Sequence, residues 1–327
     1  MKIIRVPLRI TLGGGGTDLP AWYKNHGGYF ISASINKYIY ITGTERSFDK
    51  KIWLSYSKSE ICTSVNEIQH ELFQKVLERY PVANGIELHS ISEVPGQSGL
   101  GSSGSFLVGL LYLMNLMNKV EVSRSELAEQ ACRIEIEELG KKSGKQDQYI
   151  AAYGGLQEFT IAKSGLVSSS EINLGQSNLN RLHNNLLIYF SNYHRDANTV
   201  LAEQSKKISE NNIDRAMLRI QEIGYESGAA IKSGDFDAFG ALMDEHWSVK
   251  KSITDAMSNS TINTLYECAK KWGALGGKIM GAGGGGFYLF YVPEISQVNF
   301  RLKMQNEGYK ELGWQFDFDG CSSIYSI

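Results

Sequence analysis

The most informative segment of the chain is residues 94–117, V-P-G-Q-S-G-L-G-S-S-G-S-F-L-V-G-L-L-Y-L-M-N-L-M. Its first half is rich in glycine and serine and its second half is apolar on every side, which predicts a loop followed by a buried helix. Glycines let successive backbone N–H groups approach one anion, and a helix N-terminus adds free donors and the positive end of its dipole. A polyphosphate is a natural ligand for this stretch, and a Gly/Ser connector before a core helix is the alternative.

The loop does not satisfy the phosphate-loop pattern G-x-x-x-x-G-K-[ST], because Ser102 stands where the lysine is required. Residues 95–104, P-G-Q-S-G-L-G-S-S-G, instead resemble the second motif of the galactokinase, homoserine kinase, mevalonate kinase and phosphomevalonate kinase superfamily (the GHMP kinases), P-x-x-x-G-L-G-S-S-A. The resemblance implies an ATP-binding loop formed by Pro95, Gly96, Ser98, Gly99, Gly101, Ser102, Ser103 and Gly104.

A second glycine run precedes Thr17 and Asp18 and predicts a backbone that approaches a ligand closely, with a mobile turn as the alternative. A dinucleotide fingerprint fails here, because Asp18 stands where its third glycine is needed. Residues 7–18, P-L-R-I-T-L-G-G-G-G-T-D, resemble the first GHMP motif in the form associated with the heptose and fucose kinase branches. The resemblance places Arg9 near the transferred phosphoryl group. It also implies an acceptor-sugar site at Gly14, Gly15, Gly16, Thr17 and Asp18.

Two carboxylates carry the remaining chemistry. A capping box at residues 123–126 predicts a helix that runs to about Leu139, with Glu135 on its mostly apolar face. A salt-bridged glutamate is one explanation, since a buried carboxylate needs a partner. Residues 141–149 resemble the galactokinase segment G-I-M-D-Q-F, and the spacing from Glu135 to Asp147 matches the family's metal-binding and catalytic carboxylates. The resemblance implies that Ser103 and Glu135 bind Mg²⁺ and that Asp147 faces the sugar hydroxyl, as base or as orienting acceptor.

The second half of the chain begins with a stretch rich in Ser, Asn and Gly, so we expect domains at 1–165 and 166–327. The order of strands and helices after it predicts a ferredoxin-like fold. Residues 276–286, G-G-K-I-M-G-A-G-G-G-G, resemble the third GHMP motif and place Gly283 and Gly284 at the substrate. Arg195 follows a predicted buried strand and is a candidate phosphate ligand. Lys250 is a weaker candidate, on a helix end for which a solvated position is the more common outcome.

Composition narrows the classes of function. The net charge of −2 gives no basic field for nucleic acid or a membrane surface, and the longest apolar run is too short to span a bilayer. Charged residues near the start leave no room for a signal peptide, and four scattered cysteines fit reduced thiols in the cytoplasm. The oligomeric state stays open, a homodimer included.

The resemblance covers nearly the whole chain and implies an α+β, two-domain GHMP kinase fold with an N-terminal α/β domain and a C-terminal ferredoxin-like domain. It implies ATP and Mg²⁺ as cofactors and phosphorylation of the anomeric hydroxyl of D-glycero-D-manno-heptose 7-phosphate to the 1,7-bisphosphate. One alternative is another anomeric sugar kinase, of the fucose or galactose type. The other is a catalytically silent protein that senses ATP and sugar, for which loss of Asp147 or Glu135 would be expected; both are present.

Overall fold

The larger sheet is built around two long antiparallel strands, β1 (Lys2–Gly13) and β2 (Gly28–Glu45). The computed structural model describes residues 1–81, 85–193, 197–210 and 213–326. The sequence predicts β1 as two pieces separated at Pro7 and β2 as two pieces as well. In the structure the pairing register shifts between Pro7 and Leu8, so a bulge absorbs the irregularity and both strands continue.

The larger sheet has the order β11-β1-β2-β5-β3-β4, while β6 pairs with the first part of β2 and β7 pairs with β6. These further strands are β3 (Ile52–Ser55), β4 (Ser59–Cys62), β5 (Ile86–Ser92), β6 (Leu156–Ile161), β7 (Val167–Glu171) and β11 (Ser322–Ser326). Strands β7 and β11, from the second half of the chain, therefore complete a sheet that is built mainly by the first half. The domain boundary at residues 165 and 166 remains a prediction.

The helices of the described residues are α1 (Pro20–His26), α2 (Glu71–Leu77), α3 (Ser102–Met117), α4 (Arg124–Cys132), α5 (Gln146–Tyr153), α6 (Gln176–Asn185), α7 (Ala197–Ser209), α8 (Asp214–Ser233), α9 (Phe236–Ile253), α10 (Ser260–Lys271) and α11 (Glu294–Asn306). Helix α3 is the predicted buried helix. Its Gly109 allows close packing on the sheet, because a Cβ there would lie 2.4 Å from Cγ2 of Val6. No helix in the described ranges has the length and apolar character needed to cross a membrane.

The smaller sheet contains β8 (Leu186–Phe190), β9 (Gly276–Ile279) and β10 (Phe287–Tyr291) in the order β8-β10-β9. An isolated bridge between Tyr189 and Glu311 adds a fourth position beside β8, which gives the strand order of a ferredoxin-like fold. The sequence also predicts a strand at 312–318. This prediction is wrong, since the bridges at Glu311 and Phe316 stay isolated. The two sheets with their helices confirm the predicted α+β, two-domain class.

Several helix predictions need correction. The apolar spacing over residues 65–80 predicts one amphipathic helix. The structure has instead a 3-10 turn, Val65–Glu67, and α2, which His70 caps through its ring. The helix predicted to run to about Leu139 is regular only as far as the end of α4. It continues there as a π-helical turn, Arg133–Glu138. The short helix α5 is not predicted from the sequence, because its polar first turn shows no apolar period.

Candidate active site

A cleft of about 390 Å³ lies where the three glycine-rich segments meet, between the end of β1, the start of α3 and the loop after β9. Most of the residues predicted from sequence reach this cleft. Those that line it are Arg9, Gly15, Gly16, Asp18, Gly99, Gly101, Ser102, Ser103, Glu135, Asp147 and Gly283. The fold therefore brings together groups that are far apart in the chain.

The second and third glycine segments pack directly against each other. A Cβ at Gly99 would lie 2.4 Å from the carbonyl oxygen of Met280, and a Cβ at Gly281 would lie 2.8 Å from Cα of Gly99. Gly99 and Gly281 both have positive φ angles, which L side chains rarely adopt. Glycine is thus required for backbone packing at both positions, and this packing leaves the amides of the loop at the cleft.

The outer part of the same loop differs in exposure. Pro95 and Gly96 are exposed, and a Cβ at Gly96 would meet nothing within 4 Å. Ser98 is fully buried, and its hydroxyl has no hydrogen-bond partner among the described residues. Its carbonyl oxygen accepts a hydrogen bond of 3.1 Å from the Phe287 amide, so this turn is fixed to β10.

Arg9 and Asp147 form a bidentate pair on the floor of the cleft. The Nε and Nη2 atoms of Arg9 lie 2.8 and 2.7 Å from Oδ1 of Asp147, and Nη1 donates to the Gly99 carbonyl. Asp147 stands in the first turn of α5, and a Cβ at Gly104 would lie 2.6 Å from its Cβ. The small residue at Gly104 therefore lets the start of α3 approach the carboxylate, which stays partly open to the cleft.

Ser103 and Glu135 form a second polar pair. The Ser103 hydroxyl donates to Oε1 of Glu135 at 2.7 Å, and the Gln148 amide donates to Oε2 at 2.6 Å. Burial raises the pKa of the Glu135 carboxyl, although these two hydrogen bonds oppose the shift. Glu135 lies in the π-helical turn, a distortion that is frequent at functional sites.

The donor types of this pair suit a Mg²⁺ ion, which prefers hard oxygen ligands and few protein ligands when phosphates are present. A nearby cation would also favour the ionised form of the buried Glu135 carboxyl. Within the ranges that the structure describes, no group of three or more His, Cys, Asp or Glu side chains is arranged to hold a metal. The pair therefore fits a cation that arrives with a phosphate ligand.

In the first glycine segment, residues 13–18, one side faces the cleft and the other packs against the protein behind the loop. Asp18 lies at the cleft, and its carboxylate accepts hydrogen bonds from the amides of Gly16 at 3.0 Å and Gln146 at 3.1 Å. Burial raises the pKa of Asp18. Thr17 is fully buried behind the loop, where its hydroxyl contacts the carbonyls of Gly14 and Tyr29. Thr17 and Gly14 thus support the loop from behind.

In the third segment, Gly283 lines the cleft and Gly284 lies behind it, where its amide donates to the Met257 carbonyl at 2.8 Å. Arg195, predicted to bind phosphate, lies outside the described residues.

Three basic side chains line the cleft that the sequence either did not place at the site or named only as a weaker candidate. Lys250 is buried instead of solvated, and His246 and Lys278 line the same wall. Two signals pointed to them: the four-residue spacing of His246 and Lys250 places them on one helix face, and Lys278 is part of the third motif.

Comparisons with known proteins agree with this arrangement. Residues 66–155 match the family model "GHMP kinases N terminal domain" and residues 229–310 match "GHMP kinases C terminal". A D-glycero-alpha-D-manno-heptose 7-phosphate kinase from Campylobacter jejuni is 29% identical over 97% of this chain and 96% of its own length.

Two solved structures show the same fold. A D-glycero-D-manno-heptose 1-phosphate kinase from Bacteroides thetaiotaomicron superposes with a TM-score of 0.82, at 23% identity, over 100% of both chains. A galactokinase from Lactococcus lactis, complexed with galactose, has a TM-score of 0.74 at 21% identity and covers 98% of this chain and 94% of its own.

Proposed function

Because the chain belongs to the GHMP kinases and is a sugar kinase that uses ATP as phosphate donor, we propose that it phosphorylates the anomeric hydroxyl of D-glycero-D-manno-heptose 7-phosphate. The product is the 1,7-bisphosphate. The substrate choice is supported by the heptose 7-phosphate kinase relative, which matches along nearly the whole chain. The chemistry is supported by one observation above others: the Arg9–Asp147 pair lies in the cleft directly beside the glycine loop at the start of α3.

The nucleotide is held by the loop Gly99–Ser103 and the N-terminus of α3. Backbone amides and serine hydroxyls at a helix N-terminus offer donors to phosphate oxygens, and the helix dipole favours negative charge there. Ser103 and Glu135 would hold Mg²⁺, which neutralises charge on the β- and γ-phosphates when it is bound. Gln148 keeps Glu135 in place through its hydrogen bond to Oε2.

Asp147 orients the sugar hydroxyl for attack. Its Oδ1 atom is already shared with the Arg9 guanidinium, so Oδ2 is the oxygen that remains for the substrate. Transfer of a phosphoryl group depends mainly on positioning and charge stabilisation, so a strong base is not required. Arg9 is itself buried and held by both Asp147 and Gly99, so its charge is preorganised beside the moving phosphoryl group.

The first glycine segment supplies the acceptor side of the cleft. Gly15 and Gly16 line the cleft, and Asp18 adds the only carboxylate of this segment among the described residues. Gly283 approaches from the third segment. Arg195 remains a predicted phosphate ligand, from sequence alone.

Product analysis tests the reaction directly. The purified protein, ATP, Mg²⁺ and heptose 7-phosphate are incubated, and the sugar product is examined by phosphorus NMR. We expect a second sugar phosphate signal with coupling to the anomeric proton, in step with ADP formation. Phosphorylation at another hydroxyl would overturn the proposed product, and ADP formation only with fucose or galactose would favour the alternative sugar kinases. ATP binding without any sugar turnover would favour the silent sensor.

A further inference from the structure

Three basic side chains from α9 and β9 line the cleft together. Lys250, Lys278 and His246 are each more than nine-tenths buried, with exposed fractions of 7%, 2% and 2%. The Nζ atom of Lys250 donates to the Gly281 carbonyl at 2.6 Å, and the Nζ atom of Lys278 donates to the Leu12 carbonyl at 3.2 Å. Nδ1 of His246 lies 3.1 Å from Nζ of Lys278. The three groups therefore form one basic cluster.

The basic cluster lacks a compensating anion. In the described part of the chain, neither Lys250 nor Lys278 forms an ion pair with a carboxylate, although most other buried or half-buried cations of the cleft do. Asp18 is the nearest acidic influence on Lys250, but its oxygens already accept two backbone amides. Buried ammonium groups without an anionic partner are costly, so such a site is suited to a ligand that brings negative charge.

His246 supplies a free donor to the same site. With the Lys278 amino group assigned as the donor to Nδ1, the neutral imidazole carries its proton on Nε2. Nε2 is buried and has no hydrogen-bond partner within the described ranges. Burial first, and then Lys278 and Lys250, keep the pKa of His246 well below its usual value, which agrees with a neutral ring.

The basic cluster spans the space between the first and third glycine segments. Lys278 reaches Leu12, directly before the first segment, and Asp18 of that segment acts on the Lys250 ammonium. Lys250 itself donates to Gly281, which packs on Gly99 of the nucleotide loop. The Ser103–Glu135 pair lies instead at the start of α3, where the nucleotide phosphates are expected. Two phosphates could in principle meet the cluster, that of the acceptor or the γ-phosphate of ATP, and the position beside the first segment favours the acceptor.

We propose that Lys250, Lys278 and His246 form the subsite that binds the phosphate carried by the acceptor sugar, and so select a sugar phosphate over a free sugar. This inference rests on the proposed function, in which the acceptor is a sugar phosphate. Two ammonium groups and one imidazole N–H offer a phosphate several hydrogen bonds, and the buried position excludes water that would weaken them.

Methionine substitutions test the subsite, because methionine keeps much of the lysine volume and removes the charge. We expect Lys250→Met and Lys278→Met to raise KM for heptose 7-phosphate by roughly 10–100-fold each, the scale of a lost hydrogen bond to a charged group. KM for ATP should stay within about twofold of wild type. A rise in KM for ATP alone would assign the cluster to the γ-phosphate and overturn the inference.

Lys251→Met is the matched control. Lys251 neighbours Lys250 on α9 but lies over the rings of Trp247 and Tyr266, outside the cleft. Its variant should keep both KM values. Equal losses in Lys251→Met and Lys250→Met would show a general effect on α9 and contradict the subsite.

A binding assay separates this inference from the proposed function. Calorimetry with inorganic phosphate as the probe needs no sugar turnover. If wild type binds phosphate and both methionine variants lose this binding but keep their affinity for ATP, the subsite holds even when no heptose phosphate is turned over. If wild type turns over heptose 7-phosphate but the variants keep its preference over free heptose, the proposed function stands and the subsite is wrong.

The wild-type protein offers a test that does not depend on the folding of a variant. Burial lowers the pKa of Lys250 to about 8 and that of Lys278 well below its usual value. Inorganic phosphate bound between Lys250 and Lys278 favours the charged form of both amino groups. Phosphate binding should therefore take up protons from the buffer. Calorimetry at pH 8.0 in two buffers of different ionisation enthalpy measures this uptake, and binding without proton uptake would contradict the inference.

Discussion

The pair of Arg9 and Asp147 is the contact on which the proposed phosphoryl transfer depends. The guanidinium takes one carboxylate oxygen and the Gly99 carbonyl, which fixes both side chains before a substrate arrives. Preorganised charge of this kind costs no rearrangement during the reaction. The geometry therefore favours Asp147 as the group that orients the hydroxyl.

Asp147→Asn should lower kcat by about 10²-fold or more, the scale of a lost acid–base or orienting group. The substitution keeps the shape but removes the charge that pairs with Arg9. KM for ATP should change little, because asparagine keeps the volume of the side chain that packs beside the nucleotide loop. Steady-state kinetics on both substrates measure this, and a variant with near-normal kcat would leave the carboxylate without a catalytic role.

Lys250 should also make stability depend on pH. Its pKa is about 8 in the folded protein, lowered first by burial and then by Arg9 and opposed by Asp18, against an ordinary value of 10.5. Between these values the unfolded chain holds a proton that the folded protein has released, so this group makes the free energy of unfolding rise with pH.

The comparison of wild type with Lys250→Met isolates that contribution. Relative to the variant, wild type should gain up to about 3 kcal/mol of unfolding free energy from pH 7.5 to 10.5, at ~1.4 kcal/mol per pKa unit. Urea unfolding at several pH values measures the difference. A difference that stays constant with pH would mean that Lys250 is not the buried, weakly basic group described here.

At this scale, sequence reasoning found the residues whose signal is local. The glycine loops were predicted from their composition, and Glu135 and Asp147 from a spacing that resembles that of the family; both carboxylates lie at the cleft, and their roles stay predictions. His246 and Lys278 were not assigned, because they come from α9 and β9 and meet only in the folded chain. Thr17 was placed at the sugar by resemblance, whereas its hydroxyl is used by the backbone behind the loop.

The elements around the cleft show how backbone form positions the side chains. The π-helical turn directs Glu135 to the start of α3, and its one-residue bulge is invisible in a sequence pattern with a period of 3.6. The loop before α3 was predicted well, because glycine content and an apolar helix are both local signals. The close packing of Gly99 on Met280 was not, since it joins two loops that are far apart in sequence.

Ser103→Ala and Glu135→Gln should each lower turnover and raise the Mg²⁺ concentration needed for half-maximal rate, because each removes a hard oxygen ligand. Mg²⁺ titrations at saturating ATP measure this. Circular dichroism spectra that match wild type control for folding. Unchanged titration curves in both variants would contradict the assigned metal site.

Gly99→Ala should weaken ATP binding and destabilise the protein. The added Cβ collides with the Met280 carbonyl, and the positive φ angle costs about 1–2 kcal/mol for an L residue. Thermal unfolding and KM for ATP measure the two effects.

Gly175→Ala is the control for that substitution. Gly175 is exposed before α6, has no heavy atom within 4 Å of a built Cβ and has a φ angle of −59°. It should behave like wild type. A Gly99→Ala protein as stable as Gly175→Ala would refute the packing of the two loops.

At the level of the whole molecule, the C-terminal strand β11 follows the smaller sheet along the chain but pairs within the larger sheet. Strand β11 pairs with β1, which carries Arg9, and Arg5 of β1 pairs with Asp319 at 2.7 Å. The sequence predicted a strand at the end of the chain but assigned it to the second domain. Strand pairing over this distance is set by tertiary structure, and the local pattern carries no information about the partner.

Deletion of residues 322–327 should therefore destabilise the larger sheet as well as the C-terminal region. Loss of four register pairs on β1 should lower Tm by roughly 5 °C or more, at ~2–4 °C per kcal/mol for a domain of this size. Thermal unfolding with and without ATP measures it. A truncated protein with the Tm of wild type would show that β11 adds nothing to the sheet.

The proposed substrate and its phosphate subsite are tested together by one ratio. It compares kcat/KM for D-glycero-D-manno-heptose 7-phosphate with kcat/KM for the unphosphorylated heptose. ADP release is followed with both sugars at one Mg²⁺ and ATP concentration. The basic cluster predicts a ratio on the order of 10²–10⁴, since a bound phosphate gains two or more charged hydrogen bonds. Equal kcat/KM for the two sugars would contradict the account and promote a free-sugar kinase in its place.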